Sequence, residues 1–565
     1  MWLPSPSLVL AMLQYAANAD QIPLQTSSDN MATVSPLDSK WTDLTARADA
    51  NAISQLIFDS VNSILQHWTH TRYRNGHSII PGTVPVGTLL YHGRGDNELR
   101  RLLFPNGLQS IQNTHFHFVG FGTEATRTRG AGSYNLRDAG TLEAQDLLVW
   151  GKFDPERWVD ERERIDDLCA WGKDFNIDGY LRMEMDFEIM LCDFSQGVEL
   201  VSADNLASWW TNPTTPSPLR PTSRSTPDFH PPASSHSLDP LDDDPSFPTG
   251  DIFRFETVRA GSWHNHYPGK TRISLDLTGF ISFYDTTLAP SLVSGRQGTE
   301  RWDHRLAGIS PADLTAIESR LSEALTRGPN AGSGVDWREL YRVVLERYVE
   351  RLELMEYLLN TTTADNINER ARQIQTQLRV MLTPYILYTS RPTPRGISSS
   401  VDSTGNDSWA LPVWQGCATR HTAHIHANTD LKSRLTSSER LLLRTLDETN
   451  REICRVVVRM WVAGVHAGLD THIPLEDSQT VAAPPLVVQE WRLEAGALMK
   501  WLDWGVWVKC RPACGVEEIC YLPTWPYFRG PDRTEDERWK RPQPQCIRQF
   551  APYSVLLLNA GLLFE

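Results

Sequence analysis

Hydrophobic and polar positions alternate most regularly between residues 145 and 194. After the helix-starting pair Asp154-Pro155, apolar residues recur every three to four positions, which predicts a helix. From Leu181 to Leu191 they recur at every second position, which predicts one strand with an apolar face. We interpret the whole stretch as strand end, turn, helix, turn and strand. The second face of the last strand carries four charged residues, Arg182, Glu184, Asp186 and Glu188.

Weaker patterns surround this stretch. The apolar spacing from Trp41 to Leu65 is helical, and the apolar run Gly87–Gly93 predicts a buried strand with His92 at its C-terminal end. Residues 95–135 give conflicting signals. Two short strands are expected within residues 272–284, where they either complete the first sheet or start a new one. Beyond Ser310, a predicted N-cap, the chain carries long amphipathic helices.

Together these patterns predict an α+β protein with a mixed α/β N-terminal domain, a Pro/Ser/Thr-rich linker or insertion, and a helical second domain with a Cys-rich tail. The predicted divisions are a signal peptide at 1–19, a mobile N-terminus at 20–40, the α/β domain at 41–210, a disordered linker at 211–250, strands completing a sheet at 251–305, a helical domain at 306–470, and a Trp/Cys-rich C-terminal region at 471–565.

The N-terminus and the cysteines indicate the secretory pathway. Met1–Ala19 has an apolar segment and an Ala-x-Ala cleavage pattern, so we expect a secreted or endomembrane-lumen protein, although no Lys or Arg precedes the segment. Four of the eight cysteines crowd near the C-terminus. Without a CxxC pair or a nearby His, disulfides are favoured over zinc, with three pairings open. The predicted bridges involve Cys510, Cys514, Cys520 and Cys546, and the predicted glycosylation sites are Asn360 and Asn406.

Charge and motifs exclude several classes of function. A net charge of −15 and a pI near 5.6 argue against sequence-independent nucleic-acid binding, because that needs a basic surface. No stretch offers the ~18 uninterrupted apolar residues that a membrane span requires. The sequence motifs of serine hydrolases, P-loop proteins and Rossmann dehydrogenases are incomplete or missing.

Two constellations could carry chemistry. His92 and the carboxylates of the predicted strand could bind a ribose or perform acid/base catalysis, although a solvated sheet face shows the same alternation. Histidines at alternate positions of a strand could share a metal, but no further ligand motif completes such a site and we predict none. The histidines are His115 and His117, His264 and His266, and His421, His424 and His426. The tryptophans Trp501, Trp504 and Trp507 could stack on sugars, but their spacing favours a core face.

The chain also resembles a family of uncharacterised proteins of filamentous fungi. The similarity lies in Leu89-Leu90-Tyr91-His92-Gly93-Arg94, Gln145-Asp146-Leu147-Leu148, Asp178-Gly179-Tyr180-Leu181-Arg182-Met183-Glu184 and the segment WLDWGVWVKC at 501–510. Residues 95–135 depart from that family's pattern, in which a Trp/Phe-rich segment follows the YHGR strand. The resemblance implies a fungal secretory-pathway protein and leaves its activity open.

A more distant similarity links His92-Gly93 and the acidic strand to ADP-ribosyltransferases. It implies that His92 and Arg94 bind NAD and that Glu188, or Glu184, stabilises the nicotinamide ribose in the transition state. It also implies that His92 and Glu188 lie on neighbouring strands. The middle aromatic motif of that fold is not identifiable here. The alternative class is a non-catalytic, disulfide-stapled secreted or accessory protein, for example in a fungal metabolite pathway.

Overall fold

The computed structural model describes residues 53–65, 77–92, 107–111, 116–121, 139–153, 157, 161–182, 188–193, 198–203, 274–327, 332–392, 407–473, 484–516, 518–521 and 544–548. The predicted signal peptide, the 211–250 linker and Asn406 lie outside these ranges. The first part of the chain alternates short strands and helices: α1 Ser54–Ile64, β1 Ser78–Val84, β2 Leu89–His92, β3 Gly107–Ile111, β4 Phe116–Phe121, α2 Ala139–Trp150, α3 Glu161–Gly172, β5 Gly179–Arg182, β6 Glu188–Leu191, β7 Val198–Ala203, β8 Ser274–Leu275 and β9 Ile281–Ser282.

The second part is helical and ends in a small ribbon. Its elements are α4 Val293–Arg296, α5 Pro311–Thr326, α6 Trp337–Asn360, α7 Ile367–Leu382, α8 Leu411–Thr419, α9 Ala423–Ala427, α10 Thr429–Arg434, α11 Ser437–His466, α12 Pro484–Leu502, β10 Glu518–Tyr521 and β11 Gln545–Arg548. The α+β class and the helical second part agree with the expectation from sequence.

Three sheets are formed. Six strands make the largest, in the order β6-β5-β4-β1-β8, with β9 also paired to β1. Within it, β4 and β5 run parallel, whereas β5 and β6 are antiparallel. Strands β2, β3 and β7 make a separate antiparallel sheet, and β10 pairs with β11. Because β8 and β9 both join β1, the strands after the predicted linker extend the sheet of the first part.

The six-stranded sheet is the middle layer of the fold. Successive residues of a strand point to opposite faces, and here both faces are covered. Ile79 packs in one apolar cluster with helices α2, α3 and α5, whereas its neighbour Ile80 packs in a second cluster with the helical part. Tyr180 and Leu181 divide between the same two clusters.

The larger cluster surrounds α11, the longest of the described helices. This helix contacts α1, α7, α8 and α12, and about two-thirds of its positions are buried. Its N-terminus is fixed by a capping box in which Thr436 and Glu439 each bond the other's backbone N–H. Ser310 likewise accepts from Asp313 N at 3.1 Å, which confirms the predicted N-cap of α5.

Two expectations for residues 145–194 are wrong. Residues 145–150 are the end of helix α2, because a short apolar run does not distinguish strand from helix by periodicity. The predicted single strand 181–191 is instead a pair of antiparallel strands, with Arg182 opposite Glu188. Two antiparallel arms preserve the two-residue alternation of one strand, and the sequence has no Gly or Pro at 183–187 to signal a break.

Among the described helices, none combines the length and apolar character needed to cross a membrane.

Candidate functional site

The residues predicted to bind and act on NAD fall on two different sheets. His92 ends β2, opposite Gly107 of β3, and Glu188 begins β6, opposite Arg182 of β5. The expectation that their strands are neighbours is therefore wrong, since β2 pairs with β3 and not with β6. The two sheets are nevertheless joined by a short segment of the chain, because only residues 192–197 separate β6 from β7. Glu184 and Arg94 lie outside the described residues.

The β5–β6 hairpin is anchored to α3 at both arms. Cys192, directly after β6, forms a disulfide with Cys169 of α3, with a Cα–Cα distance of 5.5 Å. In β5, the hydroxyl of Tyr180 donates to the carbonyl of Leu168, also in α3. Burial raises the pKa of Tyr180 far above its usual value, so this hydroxyl keeps its proton. The two strands β5 and β6, of which β6 carries Glu188, are thus held to α3 by one disulfide and one hydrogen bond.

A buried ion pair then fixes α3 to α2. Arg164 Nε donates to Asp146 Oδ1 at 2.5 Å, and both side chains are fully buried. Arg164 also donates to the carbonyl of Arg157 at 3.1 Å, and the Arg157 guanidinium lies 3.5 Å from the ring centroid of Trp150. Because the Arg164 guanidinium donates to both Asp146 and the Arg157 carbonyl, we infer that it holds α2 and α3 together.

The histidines at 421–426 do not form the strand that metal sharing would need. They lie in and beside the short helix α9. His421 Nε2 is 2.8 Å from the hydroxyl of Tyr385, and His426 Nε2 is 2.8 Å from Asp447 Oδ2. Burial, with Arg347 nearby, lowers the pKa of His421, whereas the hydrogen bond to Asp447 raises the pKa of His426. In the described part of the chain, the groups of three potential metal ligands all contain cysteine.

The tryptophan series of the C-terminal region is part of the core. Trp504 is buried and stacks on Phe58 of α1, with ring centroids 5.5 Å apart. Trp507 packs against Trp504 at 5.1 Å and donates to the carbonyl of Val349 in α6. Trp501 is half-buried and also packs against this core, so the core interpretation of the spacing is confirmed.

The four C-terminal cysteines form two disulfides. Cys510 is joined to Cys520, and Cys514 is joined to Cys546, which is one of the three pairings that the sequence left open. The bridges hold the β10–β11 ribbon against the segment that follows α12. That segment is further tied to α6 by Lys509 Nζ, which lies 2.7 Å from Glu353 Oε2. The C-terminal ribbon is therefore linked to the helical core through ion pairs and disulfides.

Sequence reasoning did not single out two further bridges. Cys417 of α8 is bonded to Cys454 of α11, with both residues fully buried, and Cys169 is bonded to Cys192. The even number of cysteines was the available signal, but spacing alone does not give partners. Asn360, one predicted glycosylation site, is the exposed last residue of α6. Thr362 of its sequon donates its hydroxyl to the Leu358 carbonyl at 2.7 Å.

Comparisons with known proteins place this chain beside uncharacterised yeast proteins. A family model described as the YPL277C N-terminal domain matches residues 141–224, which include most of α2, all of α3 and the strands β5 and β6. The chain is 24% identical over 553 residues to the uncharacterized protein YOR389W of Saccharomyces cerevisiae, covering 84% of this chain and 81% of the relative. It is 26% identical over 392 residues to the uncharacterized protein YPL277C of the same yeast, covering 56% and 77%. No solved structure matches the chain.

Proposed function

We propose that this protein works in the oxidising lumen of the secretory pathway or outside the cell. The observation that carries the proposal is that all eight cysteines are paired, in four disulfides. Disulfides form and persist in oxidising compartments and are rare in the cytosol, where thiols are kept reduced. One of the four, the Cys417–Cys454 bridge, lies inside the helical core with both residues fully buried.

The test is to express the tagged full-length chain in a filamentous fungus and to recover it from medium, endomembranes and cytosol. We expect a mature N-terminus at Asp20 and no free thiol when denatured, non-reduced protein is alkylated and analysed by mass spectrometry. Glycan on Asn360 or Asn406 would appear as a mass lost on deglycosylation, and the variants Asn360→Gln and Asn406→Gln assign it. Intact Met1 on cytosolic protein with eight alkylated cysteines would refute the proposal.

As a second function we propose NAD-dependent transferase chemistry in the first part of the chain. The supporting observations are the similarity described above, the position of His92 at the end of β2, and the short link between β6 and β7, which joins the sheet bearing Glu188 to the sheet bearing His92. His92 and Arg94 would hold the dinucleotide, and Glu188, or Glu184, would stabilise positive charge on the nicotinamide ribose. NAD would supply the ADP-ribosyl group.

Purified full-length protein should therefore bind NAD and release nicotinamide. Glu188→Gln should lower the rate by about 100- to 1000-fold, as for the loss of one electrostatic stabiliser, while NAD binding persists. His92→Ala should weaken binding instead. Glu346→Gln is the matched control, because Glu346 is exposed and pairs along its own helix with Arg342. Protein that neither binds nor cleaves NAD would leave the non-catalytic accessory function as the better description.

A further inference from the structure

The two C-terminal disulfides converge on one face of the β10–β11 ribbon. Cys520 and Cys546 are directly opposite each other in the antiparallel ladder. Each is nevertheless bonded to a cysteine of the preceding segment, Cys520 to Cys510 and Cys546 to Cys514. Directly opposed residues of a ladder share a face, with Cβ atoms about 4.5–5.5 Å apart. The ribbon and the preceding segment thus present two sulfurs each to one small volume.

The sulfur distances are close to those of a metal centre. The Sγ atoms of Cys510, Cys514 and Cys520 all lie within 4.8 Å of one another. The sulfur of Cys546 is bonded to that of Cys514. Zinc bound by thiolates at about 2.3 Å places the sulfurs of a tetrahedral site roughly 3.8 Å apart. Side-chain rotation after reduction would reach this geometry, because the Cα atoms of the bridged pairs are already only 5.6 and 5.4 Å apart.

The surroundings also suit bound thiolates. The backbone N–H of Cys510 donates to Cys520 Sγ at 3.0 Å, and hydrogen bonds to a ligating atom orient it and adjust its basicity. Lys509 and Arg511 flank Cys510, and each bonds Glu353 through a charged side chain. Nearby cations favour the deprotonated form of a cysteine.

We propose that the reduced form of this cluster binds one soft divalent metal ion, such as Zn²⁺, through the thiolates of Cys510, Cys514, Cys520 and Cys546. Two molecules of a dithiol reduce the two disulfides, giving four electrons and four protons and leaving as disulfides themselves. The metal ion then displaces protons from the four thiols, which leaves a site of net charge −2. The same cluster is therefore either a pair of disulfides or a metal site, according to the redox conditions.

The test uses the full-length protein without substitutions. It is reduced anaerobically with a phosphine under native conditions, supplied with one equivalent of Zn²⁺ or Co²⁺, and alkylated before peptide mass spectrometry. We expect one metal ion per chain, thiolate-to-cobalt absorption, and protection of the four C-terminal cysteines. Equal alkylation of these cysteines with and without zinc would overturn the proposal, as would protection that maps to Cys169 or Cys192. Neither failure would bear on where the oxidised protein works.

Two variants define the ligand set. Cys546→Ser should weaken zinc binding by at least about 100-fold, because changes even to groups that only support a ligand cost 10- to 100-fold. Glu518→Gln is the matched control, since one Glu518 carboxylate oxygen lies within 4.8 Å of the sulfurs of Cys514 and Cys546. We expect Glu518→Gln to bind zinc as the unaltered protein does. If Glu518→Gln weakens zinc binding as much as Cys546→Ser does, the four-thiolate site is wrong and the metal is bound by sulfur and carboxylate ligands together.

Discussion

The helical part and the α2–α3 pair hold buried carboxylates in opposite ways. In the helical part, Glu439 is fully buried, and its donors among the residues that the structure describes are neutral: the N–H and hydroxyl of Ser333, the indole N–H of Trp337 and the N–H of Thr436. In the α2–α3 pair, Asp146 is equally buried but is bonded to the guanidinium of Arg164.

Whether the donors are neutral or charged determines which second substitution can compensate for the loss of the carboxylate. Four neutral donors from three positions converge on Glu439, so no single second change can compensate for its loss. Asp146 and Arg164 carry opposite charges in one ion pair, so replacing both by apolar residues removes the two buried charges together. Asp470, also in the helical part, accepts from neutral donors and from one charged side chain. Burial alone would raise its pKa, but bonds from Trp461, the His472 N–H and Arg379 hold the pKa of Asp470 below its usual value.

The largest effect is expected for Glu439→Leu. It leaves the Ser333, Trp337 and Thr436 donors buried without their acceptor, and each such group costs about 1–3 kcal/mol. We expect the free energy of unfolding to fall by at least about 4 kcal/mol, measured by urea denaturation of the oxidised protein. Glu346→Leu, at an exposed position of α6, is the control and should change it by less than about 0.5 kcal/mol. A loss below about 1 kcal/mol for Glu439→Leu would mean that the donors find other partners.

The α2–α3 pair should respond differently. Arg164→Met alone leaves the Asp146 carboxylate buried beside an apolar side chain, and we expect a loss of about 3 kcal/mol in the free energy of unfolding. Adding Asp146→Leu should recover most of that loss, because the double variant buries no charge. The measurement is again urea denaturation, completed as a double-mutant cycle. If the double variant is as unstable as the single one, the other bonds of Arg164, including that to the Arg157 carbonyl, carry the stability.

Sequence patterns predicted the elements whose signal is local. The N-cap Ser310 and the strand ending at His92 both lie where the sequence places them, because caps and apolar runs depend on a few adjacent residues. The strand expected at 181–191 failed for a physical reason. Two antiparallel strands keep the same alternation as one long strand, so periodicity does not distinguish the two arrangements.

The candidate site was less predictable, because it depends on contacts between distant parts of the chain. Periodicity could place His92 and Glu188 on strands, but strand order decides whether they meet, and the sequence carried no signal for the β2-β3-β7 pairing. Cysteine pairing is similar. Cys520 and Cys546 face each other in the ribbon and yet bond to other partners, which spacing does not reveal.

Asp59 combines the two ways of holding a carboxylate. It is fully buried in α1, accepts from Arg301 Nη1 at 2.6 Å, and accepts from the neutral N–H of Gly505 at 2.9 Å. It thereby joins three segments that are far apart in sequence. Burial raises the pKa of Asp59 to about 6, against the lowering effects of Arg301 and Gly505.

The pH dependence of stability should reveal which influence on Asp59 dominates. The pKa of Asp59 is about 6 in the folded state and 3.8 ordinarily, so between these values the folded state holds a proton that the unfolded chain releases. The stabilisation from this group is then full below pH 3.8 and is lost as the pH rises through about 6. Asp59→Asn cannot titrate, so the unfolding free energy of the unaltered protein minus that of Asp59→Asn should fall by at most about 3 kcal/mol between pH 4 and 7. The pH slope is the readout, because losing the charged bond to Arg301 shifts the unfolding free energy of the variant by a constant amount. A difference that rises with pH would show that the bond to Arg301 outweighs burial, and Asp59 would then belong with Asp146.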